Sequence, residues 1–205
     1  MRGMVTRFGG LLVVIGLIAG CSAAAKEPVG PTASPTVVAA SPTATPTPTA
    51  STGVVMDLSD PVLGIVFEKA PDVHGDAADV YNWIATFERE SWRMMTTNQV
   101  SPGFSIMASA EVQARMAQIA TNNTNDQVKI GGVFHATVAN ISVDGDTAHG
   151  TVCDDYREAK FSDADGPDTP EQAGFGQPGL GEVTLARGAG DGLWTIQSEK
   201  WIGTC

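Results

Sequence analysis

Basic side chains are scarce in this sequence. Of its 12 lysines and arginines, Arg2 and Arg7 fall in the first 20 residues, so the rest of the chain sets ten basic residues against 23 acidic ones, a net charge of −13. Such a body repels phosphate backbones and anionic lipid headgroups, and no basic stripe with interleaved aromatics runs through it, which excludes nucleic acid as a partner. Histidine is equally sparse. His74, His135 and His149 are scattered, without the i, i+4 spacing that puts two metal ligands on one helical face. The chain has neither a Gly-x-Ser-x-Gly elbow nor a phosphate-cradling glycine loop. It shows no period of about 20 to 50 residues, which excludes a solenoid. No metal or other cofactor is called for.

One apolar run stands out, from Phe8 to Ala19, and it follows the two arginines. A positive head before a short apolar core is the order of a secretory signal. Twelve residues fall short of the roughly 20 that a spanning helix needs, and Gly9, Gly10 and Gly16 weaken helix formation further. Counting on through Ala25 gives a longer run, and an uncleaved anchor is the alternative reading.

The run ends in Ile18-Ala19-Gly20-Cys21. A branched apolar residue, two small residues and a cysteine resemble the lipobox of bacterial lipoproteins, over the first 21 residues only. The resemblance implies that residues 1–20 are a signal peptide removed by a peptidase. Cys21 would then be the mature amino terminus, its sulfur carrying diacylglycerol. Lipid on Cys21 would place the protein on the extracytoplasmic face of a cell membrane, because two acyl chains hold where one is marginal.

Three cysteines leave a pair once Cys21 is set aside. Outside the reducing cytoplasm Cys153 and Cys205 can persist as a disulfide, the alternative being two free thiols. Residues 21–53 then form a lipidated start and a linker. From Lys26 to Thr52 it carries six prolines among threonine, serine and alanine, a composition that samples extended polyproline conformations and reaches about 80 Å. Residues 54–205 are long enough for one globular domain with its own core.

Within that domain Val80, Trp83, Ile84, Phe87, Met94 and Met95 mark one helical face between Asp76 and Met95, with Asp76 as the expected cap. A second stripe of Val112, Met116 and Ile119 predicts a helix over about 109–120, ended by the polar residues 121–126. Four strands rich in branched and aromatic residues follow, over 128–143, 146–156, 182–187 and 193–202, with Asp144-Gly145 as a hairpin turn. Residues 61–71 offer a further strand without a clear position. The stretch Phe161–Glu182 reads as a solvated acidic connection. Its Asp163, Asp165 and Asp168 depart from calcium-loop spacing.

Helices followed by an antiparallel four-stranded sheet give an α+β fold. The order of elements over residues 60–205 is similar to the cone-shaped nuclear transport factor 2-like superfamily. The alternative architecture is a small β-sandwich with helices at one end. The resemblance implies a hollow between sheet and helices and admits isomerases, dehydratases, hydrolases and non-catalytic binders alike.

Strand parity supplies the candidates for that hollow. Ile130, Phe134, Ala136 and Val138 share one face of the first strand; Ala148, Val152, Asp154 and Tyr156 share one face of the second. If the apolar faces turn inward together, Asp154 beside Tyr156 is the buried acid, with a pKa raised by burial as a general acid or base requires. A bulge would invert this, and a strand-end carboxylate paired with Arg157 or Lys160 is the competing reading. Trp194 and Trp201, an odd number of residues apart, are expected on opposite faces. The domain therefore reads as a binder of an envelope partner or a small apolar ligand. The alternative is a small isomerase, dehydratase or hydrolase-like enzyme using Asp154.

Overall fold

The computed structural model describes residues 53–189 and 192–205. The signal segment, Cys21 and the linker through Thr52 lie outside them. Among the described residues no helix is long and apolar enough to cross a membrane.

Helix α1 (Asp76–Thr97) starts at Gly75, which makes no side-chain cap. Asp76 is its first helical residue rather than its cap, and its carboxylate pairs instead with Arg187 at 2.7 Å. Asp76 and Asp79 together put negative charge where the helix dipole favours it. Asn98 closes the helix in a left-handed conformation, φ 54°. The predicted stripe is buried except for the partly exposed Met95, but so are Tyr81, Asn82, Ala85, Glu88, Glu90 and Trp92, so α1 is enclosed on more than one side. Asn82 ties the segment before it to the helix, accepting from Met56 N and donating to Val54 O, each at 2.8 Å.

A short helix α2 (Phe104–Met107) follows, then α3 (Ala110–Asn125), whose Ser109 cap accepts from Val112 N. Helix α3 runs five residues past the expected end. Thr121 and Thr124 return their hydroxyls to the carbonyls of Ala117 and Ala120, and Gln118 bonds Asn122 one turn on. The polar string thus satisfies itself within the helix instead of breaking it.

The sheet differs from four antiparallel strands. Eight strands are present among the described residues: β1 (Ile65–Phe67), β2 (Lys129–Gly132), β3 (Phe134–Asp144), β4 (Thr147–Asp155), β5 (Ala159–Asp163), β6 (Gly166–Asp168), β7 (Gly179–Arg187) and β8 (Trp194–Thr204). Five of them form one sheet in the order β1-β3-β4-β7-β8; β2, β5 and β6 form a second. Strand β1, from the stretch without an assigned place, joins β3 in parallel, and the other pairings are antiparallel. The first expected strand is broken at Gly132, φ 83°, where a Cβ would stand 2.6 Å from the Glu158 carbonyl. Only glycine fits there, and the chain passes from one sheet to the other. Part of the supposed acidic connection is a hairpin of β5 and β6, turned by the Asp163 carboxylate accepting from Asp165 N and Gly166 N.

Helix α1 lies on the five-stranded sheet and a single core fills the space between them. Phe87 meets Phe104 edge to face at 5.6 Å, Phe134 stacks on Tyr156 at 4.6 Å, and Trp92 packs tilted against both at 5.4 and 6.1 Å. Trp92 Nε1 donates to Leu63 O at 2.9 Å, so the indole is paired as well as buried. On the outer face of the sheet Cys153 and Cys205 form a disulfide, with Cα atoms 6.0 Å apart. It fastens the last residue of the chain to a strand two places away.

A buried carboxylate cluster behind an aromatic cleft

Strand β4 carries Ala148, Gly150, Val152 and Asp154 into the core, the inward parity read from the sequence, and Tyr156 continues it just past the strand end. Asp154 is 2% exposed, between Ala136 of β3 and Gly179 of β7. It does not pair with Arg157. That guanidinium holds the neighbouring, outward-facing Asp155 at 2.6–3.1 Å. The pairing lowers the Asp155 pKa, against a smaller opposing effect of burial.

Two acids that sequence reasoning missed join Asp154. Glu88, also 2% exposed, comes from α1. Glu199 comes from β8, where a register shift sets Thr184 opposite Ser198 but Leu185 opposite Ile196, leaving Gln197 as an extra residue. The bulge reverses the alternation, so Glu199, opposite the buried Val183, turns inward. Oxygens of the three carboxylates lie within 4.8 Å of one another. Arg115 of α3 reaches Glu199 Oε2 at 2.8 Å.

The electrostatics follow from this crowding. Burial pushes the pKa of Asp154 well above the ordinary carboxylate range, and the charge of Glu199 adds to it. Burial does the same to Glu88, helped by Asp154 and Glu199 and only partly opposed by Arg115. Tyr156, desolvated and facing the same acids, is held as the neutral phenol. Each of the two deepest carboxyls keeps an oxygen, Glu88 Oε1 and Asp154 Oδ1, that accepts no hydrogen bond. In the neutral form such carboxyls donate protons; they are poor bases.

The same β8 bulge moves Trp201. It stands opposite Gly181, on the side of the sheet that also carries Trp194, so the two tryptophans share a face instead of dividing between two. Trp194 is buried and lies under the Arg187 guanidinium, 4.4 Å from its ring centroid; Trp201 is half exposed. The Trp201 ring covers Gly179, where a Cβ would overlap it at 1.7 Å. Together with Tyr156, Phe175, Glu171 and Gln177 it lines a cleft of about 550 Å³ at the end of the sheet. Phe175 rests on Tyr156 at 4.8 Å and stacks on Phe161 at 5.1 Å. The acids sit one pleat deeper, since Asp154 and Glu199 each precede a cleft residue by two positions.

The histidines lie elsewhere. His135, on the outer face, contacts Glu68 at 3.0 Å and Glu158 at 3.5 Å. Burial opposes its charge, but these two acids outweigh it and raise its pKa. His149 is exposed beside Thr184, and His74 is exposed beside Asp72. No protein-family model matches the chain, and no curated protein matches it.

Proposed function

We propose that this chain is an exported lipoprotein, tethered to the outer face of a membrane by acyl chains on Cys21, whose domain binds a small, flat, largely apolar ligand without transforming it. The observation that carries the binding role is the cleft in which Tyr156, Phe175 and Trp201 gather at the end of the sheet. Its volume of about 550 Å³ lies within the range of small-molecule sites, and three aromatic rings share its wall with four glycines and the polar Glu171, Gln177 and Thr204. The disulfide accords with an oxidising compartment, and a helix layered on a mostly antiparallel sheet accords with a nuclear transport factor 2-like fold.

A neutral fluorescent probe, N-phenyl-1-naphthylamine, tests the cleft. It should brighten on binding to the full chain, and Trp201→Ala should weaken binding by about 1 kcal/mol, roughly fivefold, as one ring is lost from the cleft wall. Unchanged affinity in that variant would move the site elsewhere. The buried acid supports a second reading, in which Asp154 acts through Tyr156 as the proton donor of an isomerase, dehydratase or hydrolase-like reaction. Binding that persists in Asp154→Asn while a turnover of the bound compound disappears would favour this second reading.

A further inference from the structure

Ionised, the carboxylate cluster holds more negative charge than its neighbours balance. Three acids converge from α1, β4 and β8, and Arg115 is the cation in ion-pair contact with them among the described residues. Ionised together they would leave two negative charges in the core. Glu88 and Asp154, each 2% exposed, both place a carboxylate oxygen in the cluster, and Glu88 Oε1 and Asp154 Oδ1 receive no hydrogen from any described donor. A desolvated carboxylate oxygen without a donor is costly, and two beside a third acid are sustained only by added positive charge. Two protons or one divalent cation would supply it.

Geometry and donor chemistry favour the cation. Ligand oxygens of Mg²⁺, Mn²⁺ or Ca²⁺ lie about 2.0 to 2.6 Å from the ion, so oxygens of one shell are at most about 5 Å apart. The three carboxylates meet that limit at 4.8 Å. An all-oxygen set selects hard cations over zinc or copper. Arg115 holds Glu199 Oε2 from outside, the kind of outer contact that orients a ligand. We propose that Glu88, Asp154 and Glu199 bind one hard divalent cation, of the Mg²⁺, Mn²⁺ or Ca²⁺ kind, which ties helix α1 to the sheet directly behind the cleft. The site is separate from the cleft and does not depend on its being occupied. The groups facing the ion are Glu88 from α1, Arg115 from α3, Asp154 and Tyr156 from β4 and its end, and Glu199 from β8. Because a carboxylate must be deprotonated to ligate, the ion's affinity falls as pH falls.

The test uses the full chain, stripped with chelator and dialysed against Mn²⁺ alone at pH 7.5, with free Mn²⁺ read by electron paramagnetic resonance. One ion per chain should bind, and binding should weaken at pH 5. Asp154→Asn and Glu88→Gln should each weaken it by more than the roughly 10- to 100-fold that an outer-shell change causes. Asp163→Asn, in the exposed β5–β6 turn, should leave it intact. Within the unaltered chain, Mn²⁺ should broaden the ring resonances of Tyr156 before those of the exposed His74, a readout that requires no variant to fold. Absence of Mn²⁺ uptake would mean that protons fill the cluster and would overturn the proposal. So would binding that survives both cluster variants, binding lost in Asp163→Asn, or earlier broadening at His74.

Discussion

In the metal-free protein the buried acids should make the domain lose stability as pH rises, the reverse of ordinary acid denaturation. Asp154 and Glu88 are each 2% exposed and hold their protons well above the ordinary carboxylate range of about 4. The unfolded chain loses these protons near pH 4 and the folded chain keeps them. Above that pH the native state binds more protons, and the slope of unfolding free energy against pH is negative. Stability from these groups is complete below the unfolded pKa and is lost as pH climbs towards the folded one. Each such proton contributes about 1.4 kcal/mol per pH unit. Over the window above the unfolded pKa the wild type should therefore lose about 1.4 kcal/mol per pH unit for one retained proton and about twice that for two. Asp154→Asn removes one titrating group and one of the charges that raise Glu88, so its slope should fall to one proton or less. Urea denaturation in chelator, followed by tryptophan fluorescence at several pH values, gives both slopes. His135, whose raised pKa contributes with the same sign near neutrality, is present in both proteins and drops out of the comparison. Equal slopes in wild type and variant, or a wild-type stability that rises with pH in this window, would refute the electrostatic reading.

Other consequences are simpler to read. Cys205→Ser opens a loop with a sequence separation of 52 residues and should cost about 4 kcal/mol by loop entropy, with the reduced wild type showing the same lowered urea midpoint. Gly132→Ala forces a side chain to φ 83° with its Cβ 2.6 Å from a carbonyl oxygen, and should lower stability by about 2 kcal/mol without changing the disulfide. Cys21→Ser should abolish the acyl mass carried by the amino terminus, read by mass spectrometry of the intact chain.

The features legible in the sequence were those set by local rules. Helix α1 follows its apolar spacing from Asp76, and the alternation along β4 is unbroken, so Asp154 could be placed in the core from parity alone. The Cys153–Cys205 pairing rested on counting thiols, and the cross-link is present. Glu88 carried a readable signal, since it stands four residues after the buried Ile84 and next to Phe87, a charge within the apolar stripe. Glu199 carried none. Its direction depends on the extra residue at Gln197, and the same bulge brings Trp201 to the inward-facing side of β8. Likewise one extra residue near Asn140, φ 52°, shifts the pairing within β3 between Ala139 and Ser142. Bulges answer to packing across the whole sheet, and so does the parallel docking of β1 on β3 some 70 residues away, which no short-range pattern encodes. The aromatic cleft is a product of those long-range choices: Tyr156, Phe175 and Trp201 come from three separate stretches of chain.

Native mass spectrometry of the chain extracted from its own membranes tests the functional account most directly. The account predicts a species beginning at Cys21 with acyl mass on that residue and one small organic molecule bound, the molecule being lost in Trp201→Ala while the acyl mass stays. A chain that retains residues 1–20, or one bearing no acyl mass and no bound molecule, would contradict it.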